Sequence, residues 1–143
     1  MTDLLTITLT SGATVVTLPG DLQWVDEMTA WKVAQVYEHT LTGALLVSES
    51  GKLAGRPITL QSGADFGWVP RSTILQLQDL AAVANGPVMT LSLPDYPVGS
   101  GTRDFSVRFR RDTGALESAQ LKHRTPPAPT DWYSIVLRLM QVS

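Results

Sequence analysis

Hydrophobic and polar residues alternate with a period of two along most of the chain. In residues 4–10, LLTITLT, leucine and isoleucine alternate with threonine, which is the pattern of a half-buried β-strand. Ser11-Gly12 predicts a turn into a hairpin partner at 14–18. Residues 104–110 repeat the alternation, with phenylalanine and valine on one side and charged or polar residues on the other. The dominant pattern therefore predicts a mainly β protein.

Shorter β-compatible runs complete this pattern. They lie at about residues 32–40, 41–48, 56–61, 88–93, 116–122 and 133–142. The polar run 49–52 predicts the turn that follows the strand at 41–48. Neither period is clean in residues 22–31, LQWVDEMTAW, which predict an ordered loop.

The period changes to that of a helix in one segment only. Apolar residues recur there at spacings of three and four, namely Ile74, Leu77, Leu80, Ala81 and Ala84. Ser72 or Thr73 can cap the start, and Gly86-Pro87 is a strong stop signal. The pattern predicts one lateral α-helix at about 72–85, set against a β-sandwich or barrel-like fold.

The length and the low charge of the chain favour one domain that assembles with others. The 143 residues fit a single domain, 1–143, that is large enough to bury its own core. Charged residues make up 17%, against about 25% in an average soluble domain. A surface poor in charge is often covered by a neighbour, which points to assembly.

Acidic and basic residues are unevenly distributed although the net charge is only −2. Residues 1–31 hold four carboxylates and no lysine or arginine, whereas residues 103–124 hold six basic and three acidic residues. Arg108 and Arg110 are predicted to project from the sheet face opposite the phenylalanines. We expect an acidic protein neighbour for this stripe, and direct nucleic-acid binding is not expected from an acidic chain without exposed aromatics beside the arginines.

The composition excludes several kinds of chemistry. There are no cysteines, so disulfides, thiolate metal sites and cysteine nucleophiles are absent, which fits synthesis in the cytoplasm. His39 and His123 lack metal-ligand spacing, and no metal or cofactor is expected. Apolar runs are far shorter than the ~20 residues of a membrane helix, and the first residues do not resemble a secretion signal.

Two short motifs are candidates for a catalytic or a phosphate-binding site. Asp112-Thr113-Gly114 matches the aspartic-protease triplet, but two arginines precede it where that site needs an apolar strand. A hairpin turn with glycine at positive φ is the better interpretation. The glycine-rich stretch 99–103 lacks the ending of a phosphate loop and predicts a loop tip. No catalytic residue and no enzymatic activity are predicted.

The four tryptophans are many for a chain of this length, and core packing is expected for most of them. Trp24 and Trp31 fall in the irregular acidic stretch, where they are candidates for contact with a partner. The residues predicted as a possible interface are Trp24, Asp26, Glu27, Trp31, Arg56, Arg108, Arg110 and Arg111.

Arg56 raises a separate question because it stands between a turn glycine and Pro57, at the start of a strand. No base, nucleophile or metal ligand lies near it in the sequence. We therefore predict that Arg56 anchors a strand corner, by a salt bridge within the subunit or to the next one.

Several segments together resemble a known family. The order is LPGDLQWVDE, then RPITLQSG, then Trp68, one helix and DWYSIVLRLM. This order resembles small structural proteins from the tails of long-tailed bacteriophages, in the distal-tail or baseplate group. Gly55-Arg56 ahead of the strand is similar to an element in the N-terminal β-domain of distal tail proteins.

The resemblance implies a ring-forming virion protein that joins the tail tube to the host-facing tip, with no catalytic residues. Its implied partners are further copies of itself, as a trimer or hexamer, and the tube and hub proteins, assembled in the host cytoplasm. The chain lacks the second, carbohydrate-binding-like domain of some distal tail proteins, which implies a minimal ring or adaptor. The alternatives are a tube or terminator protein, or a separate carbohydrate- or peptide-binding module that stacks ligand on Trp24, Trp31 or Trp68.

Overall fold

The computed structural model describes residues 6–52, 54–84, 86–94, 99, 101–112 and 114–142. This part of the chain is mainly β with one short helix, as the alternating pattern predicts. The strands are β1 Thr6–Ser11, β2 Thr14–Pro19, β3 Gln23–Trp24, β4 Val33–His39, β5 Leu45–Gly51, β6 Pro57–Gln61, β7 Val69–Pro70, β8 Met89–Leu93, β9 Arg103–Phe109, β10 Leu116–Gln120 and β11 Trp132–Gln141, and the helix is α1 Arg71–Ala81. The predicted β1 residue Leu5 lies outside the described residues.

Nine of the strands form one antiparallel sheet. Seven of them follow the order β2-β1-β8-β9-β11-β6-β3, and β7 and β10 pair with β11 beside this path. Strand β11 organises it, because β9 and β10 pair along one edge of β11 while β6 and β7 pair along the other. The sheet curls until Trp24 of β3 meets Phe105 of β9 edge to face, with ring centroids 5.6 Å apart. Because β2 and β3 do not pair with each other, the barrel stays open.

The core lies inside the curl and follows from the alternation. In β11 every second residue from Tyr133 to Leu139 is buried, and β1, β8 and β9 repeat this pattern. Leu9, Leu91 and Leu137 are completely inaccessible to solvent. The inner face of the sheet is therefore continuously apolar, and the helix covers it where β2, β7, β10 and β11 come together.

The helix is shorter than predicted at its C-terminal end. It begins at Arg71, with Pro70 in an extended conformation as its N-cap and no capping side chain, so the predicted caps at Ser72 or Thr73 are wrong. It ends at Ala81 instead of Asn85, which lies outside the described residues. Ile74 and Leu77 are its buried residues and attach it to the sheet.

Strands β4 and β5 form a separate two-stranded sheet, residues 33–51, which we call the arm. The chain turns at 40–44, where Thr40 N donates to Ala44 O over 2.8 Å and Gly43 has a φ of +85°. The strand predicted at 41–48 is therefore displaced, since residues 45–48 lie in β5 but residues 41–44 lie in the turn. The turn predicted at 49–52 is wrong, because residues 49–51 pair inside β5. A hairpin that is exposed on both faces needs no alternation, so a polar end does not mark its turn.

The predicted hairpin around Asp112 also differs from the structure. Strands β9 and β10 do not pair with each other; they follow one another along the same edge of β11. Gly114 has the expected positive φ, +98°, and its N–H donates to Arg111 O over 3.4 Å. The segment is thus a turn that shifts the chain along one edge, with Thr113 outside the described residues.

Candidate functional site

Trp24 and Arg56 lie together inside the subunit. The Trp24 side chain is 6% exposed, so it packs in the core, and its Nε1 donates to Pro57 O over 3.4 Å. The Arg56 guanidinium lies 4.5 Å from the centre of the Trp24 ring, and its Nη2 donates to Glu27 O over 3.2 Å. Arg56 therefore anchors the corner between β6 and the loop 22–31, through a ring and a backbone carbonyl instead of a salt bridge.

Asp26 joins the same loop to the sheet. Its two carboxylate oxygens accept hydrogen bonds from the backbone N–H and the hydroxyl of Thr59, over 2.9 and 2.7 Å. Arg110 completes the cluster, with Nη2 donating to the Thr59 hydroxyl over 3.0 Å and Nη1 lying 3.6 Å from Asp26 Oδ2. The pairing between acidic and basic stretches that the sequence predicts between neighbours is therefore made here within one subunit.

Arg111 donates hydrogen bonds to carbonyl groups at the C-terminal end of the helix. Its Nη1 donates to Ala81 O and its Nη2 to Val83 O over 3.2 Å, and its guanidinium lies over the Phe109 ring. These carbonyls would be unsatisfied at a helix C-terminus, where a cation is also favoured by the helix dipole. Asp112 beside it has a side chain 73% exposed, 3.9 Å from Arg110 Nε.

Arg108 lines an apolar groove and differs from its two neighbours. The groove has a volume of about 310 Å³, and its walls include Leu80, Val83, Met89, Phe109 and Met140. Arg111 borders it as well. Within the described part of the chain, the Arg108 side chain makes neither a hydrogen bond nor an ion pair. We call this site the arginine groove.

The arm is the most unusual surface of the molecule, since every residue of β4 and β5 is exposed. Seven of the exposed residues in this hairpin and its turn are large and apolar, namely Val33, Val36, Tyr37, Leu41, Leu45, Leu46 and Val47. An isolated two-stranded hairpin is marginally stable in water, and exposed apolar patches of this kind mark interaction sites. The β-compatible composition predicts the strands, but only the structure reveals that no sheet or helix among the described residues covers them.

Two further tryptophans lie together at the surface. Trp68 is 36% and Trp132 54% exposed, and both line two adjoining clefts of about 460 and 540 Å³. Trp68 is among the tryptophans predicted as a stacking platform, whereas Trp132 is not. Trp31 and Glu27 of the predicted interface are half-buried in the loop 22–31.

No group of three or more histidine, aspartate or glutamate side chains in the described ranges is arranged to hold a metal ion. In that same part of the chain, no helix has the length and apolar character needed to cross a membrane. The chain matches no protein-family model, no curated protein and no solved structure.

Proposed function

We propose that the chain is a structural subunit that assembles with copies of itself through the arm. The observation that carries the proposal is the exposure of both arm strands together with their apolar side chains. Burial of one such half-exposed side chain contributes on the order of 1 kcal/mol. Several of them on one element supply the free energy of association that an isolated hairpin otherwise lacks.

The geometry of the arm favours a ring. The arm carries different groups from the surface of the main sheet and helix, which we call the body, so a contact between the arm and the body of another copy joins two unlike surfaces. Contacts of this head-to-tail kind repeat from copy to copy and produce rings when the rotation closes. The free edges of β4 and β5 also have unpaired backbone groups that a neighbouring strand can bind.

The place of this ring, in our proposal, is the distal end of the tail of a long-tailed bacteriophage. Support comes from the resemblance of residues 18–27, 56–63 and 131–140 to distal-tail proteins and from the mainly β fold with one lateral helix that this resemblance implies. The subunit would then be an adaptor between the tail tube and the host-facing tip. It would act as a non-enzymatic virion component.

A second candidate function rests on Trp68 and Trp132. Two exposed indoles beside clefts of this size are suited to stack on a sugar ring or an aromatic peptide side chain. In that case the protein is a monomer whose tryptophan fluorescence changes when oligosaccharides are added. Loss of this change in Trp132→Ala would assign it to the clefts.

The test is the native mass by light scattering on a sizing column, over a hundredfold range of protein concentration. We expect a discrete oligomer for the natural chain. Replacing Val36 and Leu46, two large apolar residues on one face of the arm, by threonine keeps the β-propensity of the arm and should give a monomer. Leu75→Thr and Leu121→Thr, which change exposed leucines elsewhere, are the matched controls and should keep the natural mass. A natural chain that is monomeric at every concentration, or an arm variant that keeps its oligomeric mass, contradicts the proposal.

A further inference from the structure

We propose that the arm of one subunit lies in the arginine groove of the next copy, with Glu38 facing Arg108. This inference rests on the proposed self-assembly and assigns the two surfaces that meet in it.

The arm presents one carboxylate beside two large apolar side chains. Glu38 is paired across the hairpin with Leu46, and Val36 is two residues before it on the same strand, so the three side chains share one face. Residues 33–51 contain two glutamates and no lysine or arginine. The Glu49 carboxylate accepts a hydrogen bond from Gln35, whereas the Glu38 carboxylate has no hydrogen-bond or ion-pair partner in the described ranges.

The groove presents the complementary arrangement. Its charged residues are Arg108 and Arg111, and the guanidinium of Arg111 is engaged by two backbone carbonyls at the helix end. Arg108 is the groove arginine without such partners among the described residues. A cation with apolar walls therefore matches a carboxylate with apolar neighbours, and their attraction strengthens as docking excludes water.

The partner that fits this groove is a second copy, because the arm of the same subunit does not enter it. All residues of β4 and β5 are exposed, and no strand of the main sheet pairs with them. Strands of seven residues give the arm a reach of about 23 Å at roughly 3.3 Å per residue. This length lets the arm leave its own body and lie across the next one.

Charge reversal tests the pairing of Glu38 with Arg108. In Arg108→Glu and in Glu38→Arg, like charges would meet, and we expect the concentration of half-dissociation to rise at least about tenfold. The double variant exchanges the two charges and should restore assembly to within about threefold of the natural chain. Lys122→Glu, an exposed charge reversal outside the groove, is the control and should have no such effect.

Engineered cysteines test the docking directly, because the natural chain has none. Chains with Leu46→Cys are mixed with chains with Val83→Cys under mild oxidation, and a disulfide-linked mixed dimer is expected. The control mixture pairs Leu46→Cys with Leu121→Cys and should give little product. This experiment remains decisive if Arg108→Glu fails to fold.

The outcomes separate this inference from the proposed function. If the natural chain forms an oligomer but the Val83 mixture gives no more product than the control, the docking site is wrong and self-assembly stands. An oligomer that is unchanged by both single charge reversals leads to the same conclusion. If the natural chain is monomeric at all concentrations, both proposals fail, and an arm that captures a different protein becomes the alternative.

Discussion

At the residue scale, three side chains connect segments that are far apart in the sequence. Thr59 is a buried polar residue, and Asp26 and Arg110 supply partners for its N–H and its hydroxyl. A buried polar group costs little while it is hydrogen-bonded and much more when its partner is removed. The cluster therefore stabilises the position of the loop 22–31 on the sheet.

Replacement of Asp26 by alanine should lower the free energy of unfolding by about 3 kcal/mol, because a charged acceptor with two hydrogen bonds is lost and Thr59 is left unsatisfied. Urea unfolding monitored by tryptophan fluorescence measures the change. The control is Asp112→Ala, whose carboxylate also lies near Arg110 but is exposed, with an expected loss below about 1 kcal/mol. Equal losses in the two variants would contradict the structural role given to Asp26.

At the element scale, few residues pack the helix against the sheet, and a residue from another segment binds the carbonyl groups at its C-terminal end. Ile74 and Leu77 are buried against the sheet, while Leu75 between them is 43% exposed. The last carbonyls are bound by Arg111, which comes from a segment 30 residues away. A residue distant in the sequence therefore supplies hydrogen-bond donors to the helix terminus, whose last turn has no basic residue of its own.

Leu77→Ala should destabilise the protein by about 3 kcal/mol, since it removes a completely buried side chain and leaves a cavity below the helix. Leu75→Ala is the matched control on the same helix and should change stability by less than about 1 kcal/mol, because its side chain is largely in solvent. Thermal and urea unfolding of both variants, side by side, check the difference. A similar midpoint for the two would mean that the helix does not pack as described.

The elements also show how far the sequence predicts this fold. Alternation located β1, β2, β9 and β11 closely, because each of these strands has one buried and one exposed face. The alternation predicts the turn of the arm at the wrong residues. Neither face of the arm is buried, so its sequence need not alternate between apolar and polar residues. Arg111 binds carbonyl groups at the early end of the helix, and the local sequence does not predict this long-range contact.

The candidate site was predicted less well than the fold, for a related reason. Residue type alone does not distinguish a tryptophan in the core from one at an interface, and Trp24 is buried while Trp132 is exposed. Arg108, Arg110 and Arg111 look alike in the sequence, but two of them are engaged within the subunit. The acidic partner of Arg110 lies in another part of the chain, and only the folded structure brings the two together.

At the scale of the whole molecule, the body and the arm are stabilised by different interactions. The body has a continuous buried core that extends through the main sheet and the helix. The arm depends on its own cross-strand hydrogen bonds and on a turn at 40–44. We therefore expect two levels of local stability in one chain.

Amide hydrogen exchange followed by mass spectrometry should resolve these two levels. Peptides from β8, β9 and β11 should exchange slowly in every form of the protein, since their strands are buried and paired on both sides over part of their length. Peptides from the arm should exchange within seconds in a dilute sample and become protected in a concentrated, assembled one. Arm peptides that are equally protected at both concentrations would contradict a role of the arm in assembly.

The way in which the arm joins the body has a consequence for how this protein can diversify. The chain leaves and re-enters the body at adjacent positions, where the N–H of Lys52 donates to the carbonyl of Lys32. The residues between them form one contiguous segment. Its length or sequence can change while every strand of the core keeps its position. Under the proposed self-assembly, changes confined to these residues would alter which copies associate while the core sequence stays the same, and two lineages with the same body would then form separate assemblies.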